Sequence, residues 1–338
     1  MEKRLFSNHL KCLREEIVKS EKPRRLEAIS RAERENPWFT QENIQRAIAG
    51  IETMLAEDDF EKWFSNYSLP ATPPRKNVGV VMAGNIPMVG FHDALCVLAS
   101  GNKLSAKLSS QDKALMSWIF EELREIDTIY EFLIEEIDKV KEVDAVIATG
   151  SDNTARYFEY YFKDIPQIIR KNRTSVALLD GNESADDLEK LSDDIFQYFG
   201  LGCRNVSKLY VPKDYNLDGL YNAFKKYESC RDFHKYVNNY EYNMAIYLMK
   251  RSDIYDLSTV ILEKSKQLVS PIAVVYLEEY SALKDVKSEL KSKEEKIQCV
   301  VGNNPDLCSV KFGQTQSPQL WDYADNVDTM EFLIGLNE

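Results

Sequence analysis

Histidine is scarce in this chain: 338 residues contain three, His9, His92 and His234. A histidine-rich metal centre is poorly supplied, and so is a Ser-His-Asp hydrolase, although one histidine suffices for a dyad. Cysteine occurs six times but never as a C-x-x-C pair; Cys12, Cys96, Cys203, Cys230, Cys299 and Cys308 are scattered. That argues against a zinc site or a disulfide framework and suits a reducing cytoplasm. No apolar run approaches the length of a membrane span. The charged start Met1-Glu2-Lys3-Arg4-Leu5 is followed by no apolar core, so no secretory signal is expected. Positive charge is in deficit as well. A net charge of −12 disfavours nucleic acid or an anionic membrane as partner. The G-x-G-x-x-G dinucleotide fingerprint is also missing after the first strand-like run.

What remains is ordinary globular composition, 44% hydrophobic and 29% charged, in a length that suits two domains or one large α/β unit. Residues 1 to about 67 read as helices, with apolar positions at helical spacing through Leu5, Leu10, Leu13 and Ile17 and again through Ile44, Ala47, Ile51 and Leu55. Thr40 is the expected N-cap of the second run. Ser68 to Pro74 is a proline-rich break and the best linker candidate. Beyond it strands and helices alternate. Strands are predicted at Asn77–Ala83, Lys103–Leu108, Asp144–Thr149, Ser175–Leu179 and Lys208–Pro212. Helices are predicted at Met88–Ser100, from Gln111, from Asp152 to Phe162 and from Asp186 to Phe199. This alternation predicts a mainly parallel sheet covered on both faces. Further on, helical runs are expected at Leu217–Lys226 and Ser258–Gln267, and strands at Ile272–Leu277, Ile297–Val301 and Ser309–Phe312.

Cys203 is the residue best placed for chemistry. It sits in Phe199-Gly200-Leu201-Gly202-Cys203-Arg204-Asn205, a glycine-bracketed turn between a helix and a strand. Such glycines allow the backbone to approach a substrate, and the turn keeps the sulfur out of the core. Arg204 or a nearby backbone dipole is expected to favour the thiolate. Cys96, on an apolar helix face, and Cys299 and Cys308, in or beside strands, read as structural.

Four segments follow one another in a telling order: Ala83-Gly84-Asn85-Ile86-Pro87 after a strand, Ala99 to Lys107, Ala148-Thr149-Gly150-Ser151 at a strand end, and the Cys203 turn. Together they resemble the aldehyde dehydrogenase superfamily. The tail, from Phe312-Gly313-Gln314 through Asp322-Tyr323-Ala324 to Met330, is similar to that of LuxC-like acyl-CoA reductases. The resemblance spans roughly residues 75 to 335. It implies an α/β fold with a Rossmann-type cofactor domain, an α/β catalytic domain and a helical N-terminal segment. The expected divisions are 1–72 helical, 73–171 for NAD(P), 172–311 carrying Cys203, and 312–338 as a tail.

The resemblance also implies roles. Cys203 would take the acyl group of a thioester, and Asn85 would donate to the developing oxyanion. Lys107 would bond the adenosine ribose, and Gly150 and Ser151 would meet the pyrophosphate at a helix N-terminus. Ser109 and Ser110 stand where NAD-preferring members often carry a glutamate, so NADPH is favoured and NADH allowed. The segment that holds a glutamate base in hydrolytic relatives is here Arg170-Lys171-Asn172-Arg173-Thr174-Ser175, without a carboxylate. Its absence favours reduction over hydrolysis. In place of the relatives' nicotinamide-ribose glutamate stands Gln267, in Gln267-Leu268-Val269-Ser270-Pro271. His92 could assist proton transfer, although a helix histidine in a structural place is the plainer reading. The expected substrate is an acyl-CoA or acyl carrier thioester, reduced to an aldehyde. A reductase of acyl phosphates or semialdehydes, and a non-catalytic subunit of a fatty acid reductase complex, stand as alternatives. A homo-oligomer and an acyl-transferring partner protein are both left open.

Overall fold

A computed structural model describes residues 3–69 and 75–336. Most of the expected proline-rich linker, residues 70–74, lies outside them. The chain divides into two compact units, residues 1–172 with 318–338, and residues 173–317.

The first unit opens with four amphipathic helices, α1 (Lys3–Ile17), α2 (Pro23–Glu35), α3 (Gln41–Met54) and α4 (Glu57–Ser65). Phe6, Leu10, Leu13 and Ile17 form the buried stripe of α1, and Phe6 joins Phe60, Trp63 and Phe64 in an aromatic cluster. Thr40 caps α3 by accepting from the Asn43 N–H at 3.2 Å. There follow β1 (Asn77–Val81), α5 (Phe91–Ala99), β2 (Lys103–Lys107), α6 (Lys113–Ile126), α7 (Ile129–Leu133), β3 (Ile134–Glu136), β4 (Ala145–Thr149), α8 (Asp152–Tyr161) and β5 (Gln167–Arg170). The five strands form one sheet in the order β3-β2-β1-β4-β5, and every pairing is parallel. The central strands β1 and β4 are near-continuous apolar runs, β4 buried throughout apart from its last residue, as the middle of a sheet covered on both faces requires. The strand order reverses between β1 and β4, so the crevice beyond their carboxyl ends is the switch point at which such sheets bind ligands.

The second unit contains β6 (Thr174–Leu178), α9 (Ala185–Phe196), β7 (Val206–Pro212), α10 (Asp218–Phe224), α11 (His234–Lys250), β8 (Ile254–Asp256), β9 (Ile261–Lys264), β10 (Val274–Tyr280), α12 (Leu283–Ser292) and β11 (Ile297–Val301). Its sheet order is β11-β6-β7-β10-β9-β8, parallel except for β8 against β9. The helix expected over Ser258–Gln267 is instead β9, where Ile261 and Leu262 are fully buried between β8 and β10. A short apolar run has no period to separate strand from helix, and the sheet decides. At Ser309–Phe312 only Val310 makes a bridge, to Val301.

The chain then returns to the first unit, where α13 (Thr329–Gly335) packs on α5. Arg170, 4% exposed, secures this return. Its guanidinium donates to Asp93 Oδ1 at 2.6 Å, to the Ala324 carbonyl at 2.7 Å and to Thr329 Oγ1 at 3.0 Å. No helix among the described residues is long and apolar enough to cross a membrane. Arg170→Leu strands the Asp93 carboxylate and is expected to lower stability by about 3–5 kcal/mol. Urea denaturation of the variant checks this, and Arg170→Lys, lacking the planar fork, should recover only part of the loss.

Candidate active site

Cys203 is exposed and sits on the turn that enters β7 from α9. The turn is built by Asn205, which is 2% exposed. Its Nδ2 donates to the carbonyls of Asp194 (3.1 Å), Ile195 (3.4 Å) and Gln197 (2.9 Å). Asp194 and Ile195 belong to the last turn of α9, whose carbonyls a helix leaves unpaired, and Gln197 is the residue just past its end. The same side chain accepts from the Gly202 N–H through Oδ1 at 2.8 Å. The Asn205 N–H closes the turn on the Gly202 carbonyl at 3.0 Å. From β6, the buried Ser175 hydroxyl donates to the Cys203 carbonyl at 3.1 Å.

The path into the turn is strained. Tyr198, Phe199 and Gly200 hold successive φ values of 53°, 57° and 76°, and only the glycine takes that region without steric cost. Phe199 is compensated by stacking on Phe233, ring centroids 4.6 Å apart. Asp194 reinforces the end of α9 through its carboxylate, which accepts from the N–H groups of Gly313 (2.7 Å) and Thr315 (3.1 Å) and from Thr315 Oγ1 (2.8 Å). Burial outweighs these bonds and lifts its pKa to about 6. Arg204 directs its guanidinium to Cys299 Sγ at 3.4 Å. Beside the turn lies a small pocket of about 340 Å³, its mouth included, lined among others by Phe199, Val206, Tyr236, Pro271 and Val275.

The remaining predicted residues lie in the first unit, on the carboxyl edge of its sheet. Val81 of β1 pairs with Lys107 of β2 on one side and with Ala148 of β4 on the other. The Asn85 loop, Lys107 and the Gly150–Ser151 turn therefore leave three adjacent strands at the same edge, at the switch point. Asn85, Ser110 and Ser151 are exposed, whereas Lys107, Ser109 and Gly150 are half-buried. Gly84 admits no side chain, since a Cβ there would lie 2.5 Å from Ser109 Oγ. Ser151 is the N-cap of α8, accepting from the Thr154 N–H at 3.3 Å. A Cβ on Gly150 would crowd Thr154 at 3.0 Å.

The other candidates have structural partners. His92 donates through Nε2 to the Leu320 carbonyl at 2.9 Å, and Cys96 contacts its Nδ1 at 3.9 Å. The imidazole thus fastens the C-terminal segment, and burial raises the Cys96 thiol well above its usual range. Gln267 accepts from the Tyr276 hydroxyl at 3.2 Å. No carboxylate stands between residues 170 and 175; Lys171 pairs outward with Glu159 at 2.7 Å. No group of three or more His, Cys, Asp or Glu among the described residues could hold a metal ion. Asn205, Ser175, Asp194, Asn36 and Asp112 were not singled out from sequence. Each acts through a bond to backbone, for which an isolated polar residue gives no pattern.

Two mainly parallel sheets, the first with a switch-point crevice at its carboxyl edge, are the α/β architecture of aldehyde-dehydrogenase-like folds. Solved structures agree. An aldehyde dehydrogenase from Physcomitrella patens in complex with succinate superposes with a TM-score of 0.66 at 14% identity, covering 100% of this chain and 85% of that one. An NADP-dependent enzyme from E. coli gives 0.66 at 13%, covering 92% and 77%. A variant of aldehyde dehydrogenase C from Pseudomonas syringae, in complex with NAD+ and octanal, gives 0.64 at 10%, covering 92% and 77%. At these identities the likeness shows the fold. No curated protein matches the chain. The family description "Acyl-CoA reductase (LuxC)" matches residues 3–219, more than half the chain, and the chain belongs to that family.

Two outcomes follow from the turn. Asn205→Ala leaves buried carbonyls of α9 and the Gly202 N–H unpaired and should lower stability by about 2–3 kcal/mol, read by chemical denaturation. Asp194 holds its proton more tightly folded than unfolded. Its contribution to stability is therefore full below the unfolded carboxyl range and declines as pH rises toward about 6. Carboxyl-detected NMR should place its midpoint near 6, and Asp194→Asn should abolish that part of the pH slope.

Proposed function

We propose that this chain is a cytoplasmic, NADPH-dependent reductase that converts an acyl-CoA thioester, with a fatty acyl group, to the aldehyde. Residues 73–171 serve as the cofactor domain and residues 172–311 as the catalytic domain, followed by the tail 312–338. The observation that carries the proposal is the exposed Cys203 thiol on a turn whose backbone is held from both sides. Family membership and the lack of a carboxylate base between residues 170 and 175 support it.

The Cys203 thiolate attacks the thioester carbonyl, a new S–C bond forms, and the bond to the coenzyme A sulfur breaks as that thiol leaves. Asn85 donates its amide to the oxyanion that develops. A reduced nicotinamide, when bound, supplies the hydride that brings the acyl carbon to the aldehyde level. The thiohemiacetal on Cys203 then collapses, its C–S bond breaks, and aldehyde leaves with the thiolate restored. With no carboxylate between residues 170 and 175 to activate water, the acyl-enzyme is kept for reduction.

The residues of the first unit fit the cofactor. Lys107 would bond the ribose hydroxyls. Gly150 and Ser151 would meet the pyrophosphate at the N-terminus of α8, where backbone N–H groups favour an anion. Ser109 and Ser110 can bond a 2′-phosphate without repelling it. The fold is shared with an NADP-dependent enzyme and with a protein crystallised with NAD+ and octanal, which supports both the cofactor class and an apolar chain on the substrate.

The test is NADPH oxidation followed by absorbance, with acyl-CoAs and acyl phosphates as substrates. Acyl-CoAs should be turned over and acyl phosphates should not, with faster turnover on NADPH than on NADH. Cys203→Ala should abolish turnover, and Asn85→Ala should reduce it by about 100- to 1,000-fold. Turnover retained by Cys203→Ala, or a preference for acyl phosphates, sinks the proposal; equal rates with both cofactors remove the roles of Ser109 and Ser110.

A further inference from the structure

The loop that carries Asn85 is held at both ends by buried polar side chains. At its start, the Gly84 carbonyl accepts from Asn36 Nδ2 at 3.4 Å. Asn36 is 2% exposed and ends α2. The same amide donates to the Gln111 carbonyl at 3.3 Å, and Asn36 Oδ1 accepts from the Trp38 N–H at 3.0 Å. At the loop's far end the Met88 N–H donates to Asp112 Oδ2 at 2.7 Å. Met88 has a φ of 55°, and its carbonyl accepts from Phe91 N–H at 3.0 Å, so it is pinned on both sides of its peptide.

Asp112 is unusual in two respects. It occupies the N-cap position of α6 yet makes no capping bond to that helix, although capping is what an aspartate there ordinarily does. Its side chain is 2% exposed, and Oδ1 has no hydrogen-bond partner among the described residues. Burial accordingly drives its carboxyl well above the usual range. A half-satisfied buried carboxyl costs stability. The bond it makes is to the Asn85 loop. The start of that loop has no slack either, because Gly84 lies against Ser109 too closely for a side chain.

We propose that Asp112, with Asn36, is a positioning residue for Asn85: the two fix the ends of the 84–88 loop and so set where the Asn85 amide points. This rests on the reading of Asn85 as the oxyanion donor. Such a donor works only when it is preorganised, and misplacement by about 1 Å costs on the order of 100-fold.

The experiment is single-turnover acylation of Cys203 by labelled acyl-CoA, with hydrogen exchange of residues 84–88 measured in parallel. Asp112→Ala should slow acylation by about 10- to 100-fold and raise exchange across the loop. Asp112→Asn keeps an oxygen for the Met88 N–H and should stay within about threefold of the wild type. In an Asn85→Ala background, Asp112→Ala should add nothing further, since it acts through Asn85. Asn36→Ala should behave as Asp112→Ala does and serves if the latter fails to fold. Wild-type acylation by Asp112→Ala, or the same loss with and without Asn85, overturns the proposal. An Asn85→Ala enzyme that acylates at the wild-type rate overturns the reading of Asn85 itself, and the positioning role with it. A slow Asn85→Ala beside a fast Asp112→Ala overturns the positioning role alone.

Discussion

One amide side chain joins the end of a helix to the turn that presents the thiol. Asn205 receives the Gly202 N–H and donates to the α9 carbonyls of Asp194 and Ile195 and to that of Gln197 just beyond them, so the turn and the helix end form one hydrogen-bonded object. Several features follow from that. The chain must fold back sharply enough for residue 205 to reach residues 194–197, and the left-handed run at Tyr198, Phe199 and Gly200 does this. Aromatic stacking offsets the strain. The Asp194 carboxylate then ties the 313–315 segment to the same helix end. Cys203 is left exposed on this hydrogen-bonded turn.

The first unit uses the same device, buried polar side chains bonded to backbone, for different ends. Arg170 and His92 hold the returning C-terminal segment against α5 and β5. Asn36 and Asp112 hold the loop at the carboxyl end of β1. These groups bring less stability than apolar residues of the same size could, but they fix the backbone at defined points. The loop that Asn36 and Asp112 fix lies at the sheet edge where three neighbouring parallel strands deliver Asn85, Lys107, Gly150 and Ser151.

The strands that carry these residues were legible in sequence, because β1 and β4 are apolar runs and β2, β6 and β7 are short, largely buried segments bounded by glycine or polar turns. The Thr40 cap was legible for a local reason, since it needs only residues 40 to 43. Helix α11 was not: among its seventeen residues only Tyr236, Asn243 and Tyr247 are buried, and tyrosine and asparagine do not read as an apolar stripe. Strand β5, a four-residue Gln167–Arg170 run, is too short to show a period. The left-handed Tyr198 and Phe199 carry no sequence signal, because the geometry is imposed by Asn205 and Phe233. At the candidate site the strand ends and the cysteine turn were visible, while the residues that hold them were not. His92 illustrates why: its partner is a carbonyl 228 positions away.

Membership in the LuxC family sets the class of chemistry, and the clamped turn states where it should begin. The central claim is that Cys203 carries the acyl group as a thioester before reduction. Peptide mapping by mass spectrometry, after incubation with acyl-CoA and no nicotinamide cofactor, tests this most directly. The account predicts a single acyl adduct on the Cys203 peptide that disappears when NADPH is added. An adduct on another cysteine, or an unmodified Cys203 peptide from enzyme that nonetheless makes aldehyde, would contradict it.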